Sequence, residues 1–358
     1  MNFKSLIGKG SILGLALMSG GIVFAGNGDR VGSAGGSELL INPWARSAAF
    51  ADAGVSCSNG LDGVFTNIAG LAFTDKTQIR FDRSNWLGGT GININSAGLA
   101  QRVSDNSVIS VAIMAMNFGD IDITTVELPE GGIGQFSPTY SNFNVGYARE
   151  FSNSIYGGIN FKVINQSISN IRANGVAIDA GIRYVTGEED QIKFGITLKN
   201  VGPTMSFKGD GLAIQIEHIA TEELATLEQR SAEFELPSLL GIGGSYDFNF
   251  SETNKLTVAA AFSANSFSND QFRLGLDYGL EIEKAAFHLM AGYVYEDGVF
   301  ANDFNFGSTV TALSGFTAGM SVDAIVGKSS SRLGIQYAFR ATRNFNGVHT
   351  LGVSIDMK

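Results

Sequence analysis

Residues 272–282 read FRLGLDYGLEI, and their alternation decides the fold. Phe272, Leu274, Leu276, Tyr278, Leu280 and Ile282 share one parity, and Arg273, Gly275, Asp277, Gly279 and Glu281 the other. Successive side chains of a strand point to opposite faces, so this stretch is a strand with one apolar face and one polar or small face. Residues 332–340 repeat the pattern, with Leu333, Ile335, Tyr337 and Phe339 against Arg332, Gly334, Gln336 and Arg340. The final segment sets Leu351, Val353, Ile355 and Met357 against Thr350, Gly352, Ser354 and Asp356.

Working outward, fourteen such segments run from residue 77 to the end, at about 77–87, 91–103, 107–119, 139–150, 155–170, 174–185, 191–201, 237–249, 255–265, 271–282, 285–295, 311–325, 330–341 and 347–357. An even number closes an antiparallel barrel without an unpaired edge. The even-numbered connections are all short, whereas the long ones, 120–138, 202–236 and 296–310, all fall at odd positions. Outer-membrane barrels carry short periplasmic turns and longer external loops. The sequence therefore predicts an all-β fold, a 14-stranded antiparallel transmembrane β-barrel over 77–358 with both termini periplasmic. Pro43, Pro129, Pro138, Pro203 and Pro237 lie outside the segments or at a segment start, where a missing ladder donor does no harm. A soluble sandwich or propeller also alternates, but does not usually present aromatic-rich apolar faces on almost every strand behind a signal peptide.

Composition agrees. The 358 residues include 46 glycines and 26 phenylalanines, and 16% are charged, below the roughly 25% of soluble proteins. Past residue 25 no apolar run reaches the roughly 18 residues of a helical span. A net charge of -10 without a Lys/Arg cluster argues against nucleic acid as a partner.

Residues 1–25 read as a signal peptide: Lys4 and Lys9, an apolar stretch over 11–24, and a small-residue cleavage site ending at Ala25. This predicts export to the outer membrane. Cys57, the single cysteine, lies far from the cut, which argues against lipidation, and is expected to be a small buried residue. Residues 26–76 do not alternate. They are predicted to form a plug-like or hatch-like segment, with a short helix over 44–53, because Trp44, Phe50, Val64, Phe65 and Leu71 favour burial.

Chemistry is sparse. His218, His288 and His349 lack ligand spacing, and there is no nucleophile elbow, P-loop or paired-cysteine metal site. No catalytic residue, metal or cofactor is predicted. His288 has lumen-facing parity, so a barrel hydrolase would need a nucleophile beside it or beside His349. Lys162, Asp179, Arg183, Arg273, Asp277, Glu281, Arg332 and Arg340 also face the lumen, where they either pair with one another or line a solute path. Within the long connection, residues 219–234 place Leu224, Leu227 and Phe234 at helical spacing beside Glu222, Glu223, Glu228 and Glu233. The expected acidic amphipathic helix is either a partner-binding surface or a lid on the rim.

With these residues in view, the chain resembles the PorV/PorQ family, which is similar to FadL-type fourteen-stranded barrels. Residues 39–55 (LLINPWARSAAFADAGV) look like the family's opening motif, with Arg46 at its arginine. Residues 64–72 (VFTNIAGLA) look like its Asn-Pro-Ala-Gly-Leu motif: Asn67, Ala69, Gly70 and Leu71 match, and Ile68 replaces the proline. Residues 200–207 and 234–246 are similar to the flanks of the family's long loop. The resemblance implies a component of type IX protein secretion. Its partners would be the translocon barrel, attachment-complex proteins, cargo with a C-terminal sorting domain, and outer-membrane lipid. The alternative it leaves open is a FadL-like transporter of hydrophobic solutes. A greasy pocket beside residues 44–72 would favour transport, and a charged, filled lumen with ordered outer loops would favour secretion.

Overall fold

The computed structural model describes residues 30–217, 224–300, 311–326, 331–343 and 345–358. The predicted signal peptide lies outside them. Fourteen antiparallel strands close a barrel: β1 (Thr77–Asn85), β2 (Asn93–Ser104), β3 (Ser107–Asn117), β4 (Thr139–Ser152), β5 (Ile155–Ile168), β6 (Ile171–Thr186), β7 (Ile192–Val201), β8 (Leu239–Asn249), β9 (Asn254–Asn265), β10 (Gln271–Ile282), β11 (Ala285–Glu296), β12 (Gly315–Val326), β13 (Ser331–Arg340) and β14 (Val348–Met357). β1 closes on β14 with Thr77 opposite Met357 and Asn85 opposite His349. The predicted segments match to within a few residues. The main differences are that β6 begins three residues early, because Ala173 is buried and joins the lumen-facing series, and that β12 begins only at Gly315.

The two parities separate as a barrel in lipid requires. On β10 the apolar series faces outward, with Phe272, Leu274 and Leu276 all exposed, and on β4 Phe143 and Val145 do the same. The other series is buried: Arg80, Asp82, Asn144, Lys162, Asp179, Arg183 and Arg340 all lie inside.

What buries them is the chain ahead of β1. Residues 36–74 form two short α-helices, α1 (Ala45–Ala49) and α2 (Asp62–Phe65), and two 3₁₀ turns, Ser37–Leu40 and Ile68–Phe73. The helix expected over 44–53 stops early, because Ala51 and Asp52 take left-handed backbone (φ 56° and 54°) and turn the chain. Trp44, Leu61, Ile68 and Leu71 are wholly buried and share one apolar core with the strand residues Ile94, Met114, Tyr140 and Ile164.

The path of this segment departs from expectation. Gly32 N–H donates to Phe267 O (3.0 Å) and Gly35 N–H to Glu235 O (3.1 Å), both acceptors lying in odd-numbered connections. At the other end Arg102 donates to the carbonyls of Ala72 and Thr74, beside the short β2–β3 turn. The described chain therefore enters the lumen at the long-loop mouth and leaves at the short-turn mouth, where it starts β1. The C-terminus sits at the short-turn mouth, as expected, and residues 30–35 sit at the opposite one; the N-terminal end itself lies outside the described residues.

Candidate functional site: filled lumen and outer loops

Asn67 is the hinge of the inner segment. Its Oδ1 accepts from Ala69 N–H (3.1 Å), which caps the 3₁₀ turn Ile68–Phe73. Its Nδ2 donates to Val55 O (2.7 Å) and across to Ile182 O on β6 (3.2 Å). The turn forms with isoleucine in the proline position, and Ile68 is 2% exposed. Ala69, Gly70 and Leu71 are all buried. Gly70 has a packing reason: a Cβ there would overlap the carbonyl oxygen of Ser58. The wall is shaped to match. A Cβ at Gly195 would overlap Val55 O, and one at Gly275 would stand 2.8 Å from Phe50 O. Lumen-facing glycines thus let two backbones come into contact.

Ion pairs join the segment to the wall. Arg46 meets Asp277 (3.2 Å), Arg340 meets Asp52 (2.7 Å), and Arg80 bridges Asp62 (2.8 Å) and Asp82 (2.6 Å). Asp82 in turn accepts from Ala45 N–H at the start of α1 (3.1 Å). Lys199 donates to Phe65 O (2.6 Å), Arg183 to Ser58 O (3.0 Å), and Thr317 to Ala49 O (2.9 Å). Within the wall, Lys162 pairs with Asp179 (2.7 Å), and Arg332 with Glu281 (3.4 Å). Arg273 donates to Gln271 (2.8 Å). These lumen charges are paired or hydrogen-bonded, as buried charges must be.

A cavity of about 290 Å³ remains at the short-turn mouth. Its walls include Arg46, Arg80, Lys193, Lys255, Arg332, Asp62, Asp323 and Asp356, with few large apolar side chains. A second cavity, of about 20 Å³, lies beside Asp52, Lys199 and Arg273. His288 opens onto the first cavity; its Nδ1 lies 2.9 Å from Asp277 Oδ1 and 3.3 Å from Arg46. Its cross-strand partner Ser321 has a buried hydroxyl without a hydrogen bond in the structure, so the two do not form a nucleophile–base pair here. His349 faces outward and bonds Tyr337 (2.8 Å). Cys57, expected to be buried, is only half-buried and lines the cavity, and its surroundings push the thiol pKa up, mainly through desolvation.

The long connection behaves differently from its sequence reading. Its roots form a lid: Met205 and Leu236 are buried, Met205 and Phe234 exchange backbone hydrogen bonds, and Phe234 packs on Phe207 and against Gly35. The helix expected over 219–234 is not formed among the described residues. Leu224–Glu228 is instead a strand paired with Ala213–Glu217. Leu224, Leu227 and Glu228 are exposed there, whereas Glu222 and Glu223 lie outside the described residues. The reason is cross-strand pairing: Ile214 sits opposite Leu227, and Ile216 opposite Ala225, giving one apolar hairpin face that local helical spacing does not reveal. A second short hairpin, Ile121–Asp122 with Gln135–Phe136, forms within the long connection 120–138.

Sequence reasoning missed Asp52, Asp62, Arg80 and Asp82. The signal was present on β1, where Arg80 and Asp82 alternate with Ile79 and Phe81, but their partners lie in the non-alternating segment.

No family model and no curated protein sequence matches the chain. Solved structures do. The toluene transporter TodX of Pseudomonas putida is 10% identical, covers 88% of this chain and 97% of its own, and has a TM-score of 0.55. TbuX, the toluene transporter of Ralstonia pickettii, is 10% identical over 89% and 98%, with a TM-score of 0.55. A Pseudomonas aeruginosa FadL homologue is 10% identical over 88% and 98%, with a TM-score of 0.53. The fold is thus the closed fourteen-stranded barrel of FadL-type outer-membrane proteins. Two of these neighbours, TodX and TbuX, are toluene transporters.

Proposed function

We propose that this barrel serves outer-membrane protein secretion of the type IX kind, binding its partners on outer surfaces and not through its lumen. The observation that carries the reading is the lumen itself. Residues 36–74 fill it, paired charges and backbone contacts hold them, and the remaining space is polar and opens at the short-turn mouth. Such an interior offers no route for a folded protein. The PorV/PorQ resemblance at Arg46, Asn67, Ala69, Gly70 and Leu71 adds support, since those residues build and seat the inner segment. The exposed part of the long loop, with Leu224, Leu227 and Glu228, is the candidate contact surface.

The second reading is a FadL-like transporter of hydrophobic solutes, and the comparisons favour it, because the similar structures are hydrocarbon channels. The apolar core beneath the outer loops, with Trp86, Met205, Leu236 and Val348, is where a greasy solute would have to enter.

One experiment separates the two: removal of residues 209–233 in the full-length protein. The cut removes the loop hairpin but lies outside the barrel strands, so the barrel should insert. Under the secretion reading, co-purification of translocon or cargo proteins in mild detergent falls by several-fold or more, while toluene uptake does not change because there is none. Recovery of no secretion component by the intact protein, together with saturable toluene uptake, would establish the transporter instead.

A further inference from the structure

The hairpin on the long connection is built like an unfinished sheet. Ala213–Glu217 and Leu224–Glu228 pair in regular antiparallel register, without a bulge. Cross-strand partners share a face. One face therefore carries Ile214 with Leu227 and Ile216 with Ala225, and the other carries Gln215 with Thr226 and Ala213 with Glu228. Ile214, Ile216 and Leu227 are 39%, 38% and 49% exposed, so the described chain leaves the apolar face open to solvent.

The backbone is open as well. Gln229 N–H donates to Leu212 O (2.9 Å), and antiparallel ladders alternate, so Ile214–Leu227 and Ile216–Ala225 are the hydrogen-bonded pairs. The N–H and C=O groups of Ala213 and Gln215 then point off one edge, and those of Leu224, Thr226 and Glu228 off the other. None of these groups bonds to another backbone group among the described residues. Exposed edges are commonly blunted by lysine, proline or a bulge, and these two strands have none of the three. A two-stranded hairpin is marginal by itself in water, and a third strand on an apolar face is what stabilises it.

Charge says what kind of strand fits. Residues 209–235 hold seven acids and one arginine. Asp210 and Glu228 are exposed and have no ion pair among the described residues. We infer that the hairpin is a strand-addition site, whose occupant is an extended segment of another protein that alternates basic and apolar side chains. Its apolar side chains continue the face of Ile214 and Leu227, its basic ones continue the face of Glu228, and its backbone completes the ladder along one edge. A second copy of this chain would bring the same acids to that edge, so charge argues against it. The inference rests on the secretion reading for its setting and on the hairpin alone for its chemistry.

The test is fluorescence anisotropy of a short tagged peptide alternating lysine and valine, added to the full-length protein in mild detergent. Saturable binding is expected, with none by the peptide alternating glutamate and valine. N-methylation of one alternate set of amides, the lysines' for antiparallel addition or the valines' for parallel, should abolish binding, and methylation of the other set should not. Gln215→Pro and Thr226→Pro each delete an outward N–H at the centre of one edge and leave the hairpin's own ladder intact. At least one of them should weaken binding roughly tenfold or more. Asp210→Lys with Glu228→Lys should shift the preference to the glutamate peptide. No saturable binding by the lysine peptide, equal binding by both methylated forms, or indifference to both prolines would each overturn the inference. If the peptide fails while deletion of 209–233 still removes secretion partners, strand addition falls and the secretion reading stands. If the peptide binds by these rules and no secretion component co-purifies, strand addition stands and the secretion reading falls.

Discussion

Asp52 and Arg340 meet at 2.7 Å with both side chains more than nine-tenths buried, and this contact ties the inner segment to β13 across most of the sequence. Breaking one partner of a buried pair costs roughly 3–5 kcal/mol, because the other charge is left uncompensated. Asp52→Asn should therefore lower the temperature at which the folded band converts on a semi-native gel, and Asp52→Asn with Arg340→Gln should recover part of the loss. An unchanged midpoint in the single variant would mean that the pair does not hold the segment.

Gly195 and Val55 test the backbone contact. A side chain at 195 has no room against the Val55 carbonyl, whereas a Cβ at Gly244, near Phe194 at 3.7 Å, meets only ordinary contact. Gly195→Ala should insert as a barrel yet unseat the segment, which planar-bilayer recording reads as new conductance. Gly244→Ala should stay silent. Silence in both would show that the wall yields without releasing the segment.

The threading of the lumen predicts a labelling pattern. In a Cys57→Ser background, Val31→Cys and Val126→Cys should react with a membrane-impermeant maleimide on whole cells, and Thr253→Cys in a short turn should not. Val31 and Thr253 lie at opposite mouths by their neighbours, so equal labelling of the two would contradict the path described. Labelling of Thr253→Cys alone would invert the orientation of the barrel.

Cys57 gives a pH signature. The thiolate is the reactive form, and burial raises the thiol pKa, so less thiolate is present at a given pH than for a free cysteine near about 8.5. Alkylation of the folded protein at pH 8 should be roughly tenfold or more slower than in urea, and its rate should keep rising above pH 9. Equal folded and unfolded rates would show an open, unperturbed thiol.

Much of this was legible because strands write their environment locally. Phe272 through Ile282 announce a lipid face by period two, and the parity of loop lengths announces antiparallel closure. Neither needs a distant residue. Trp44, Phe65 and Leu71 likewise declared that the non-alternating segment needs burial. Less legible was the hairpin containing Leu224 and Leu227, where helical spacing misled. A pairing between Ile214 and Leu227 is non-local, and local periodicity carries no trace of it.

The sequence by itself determined the barrel, its fourteen strands and the polar character of its lumen, since one strand's alternation reports both of its faces at once. Only the tertiary structure decided how the lumen is used. It showed that residues 30–76 run from the long-loop mouth to the short-turn mouth, that Asp52, Asp62 and Arg46 find Arg340, Arg80 and Asp277, and that lumen glycines seat a backbone. Those facts depend on which residues meet across the barrel. Meetings of that kind follow from register and closure of the whole sheet, which no single segment encodes.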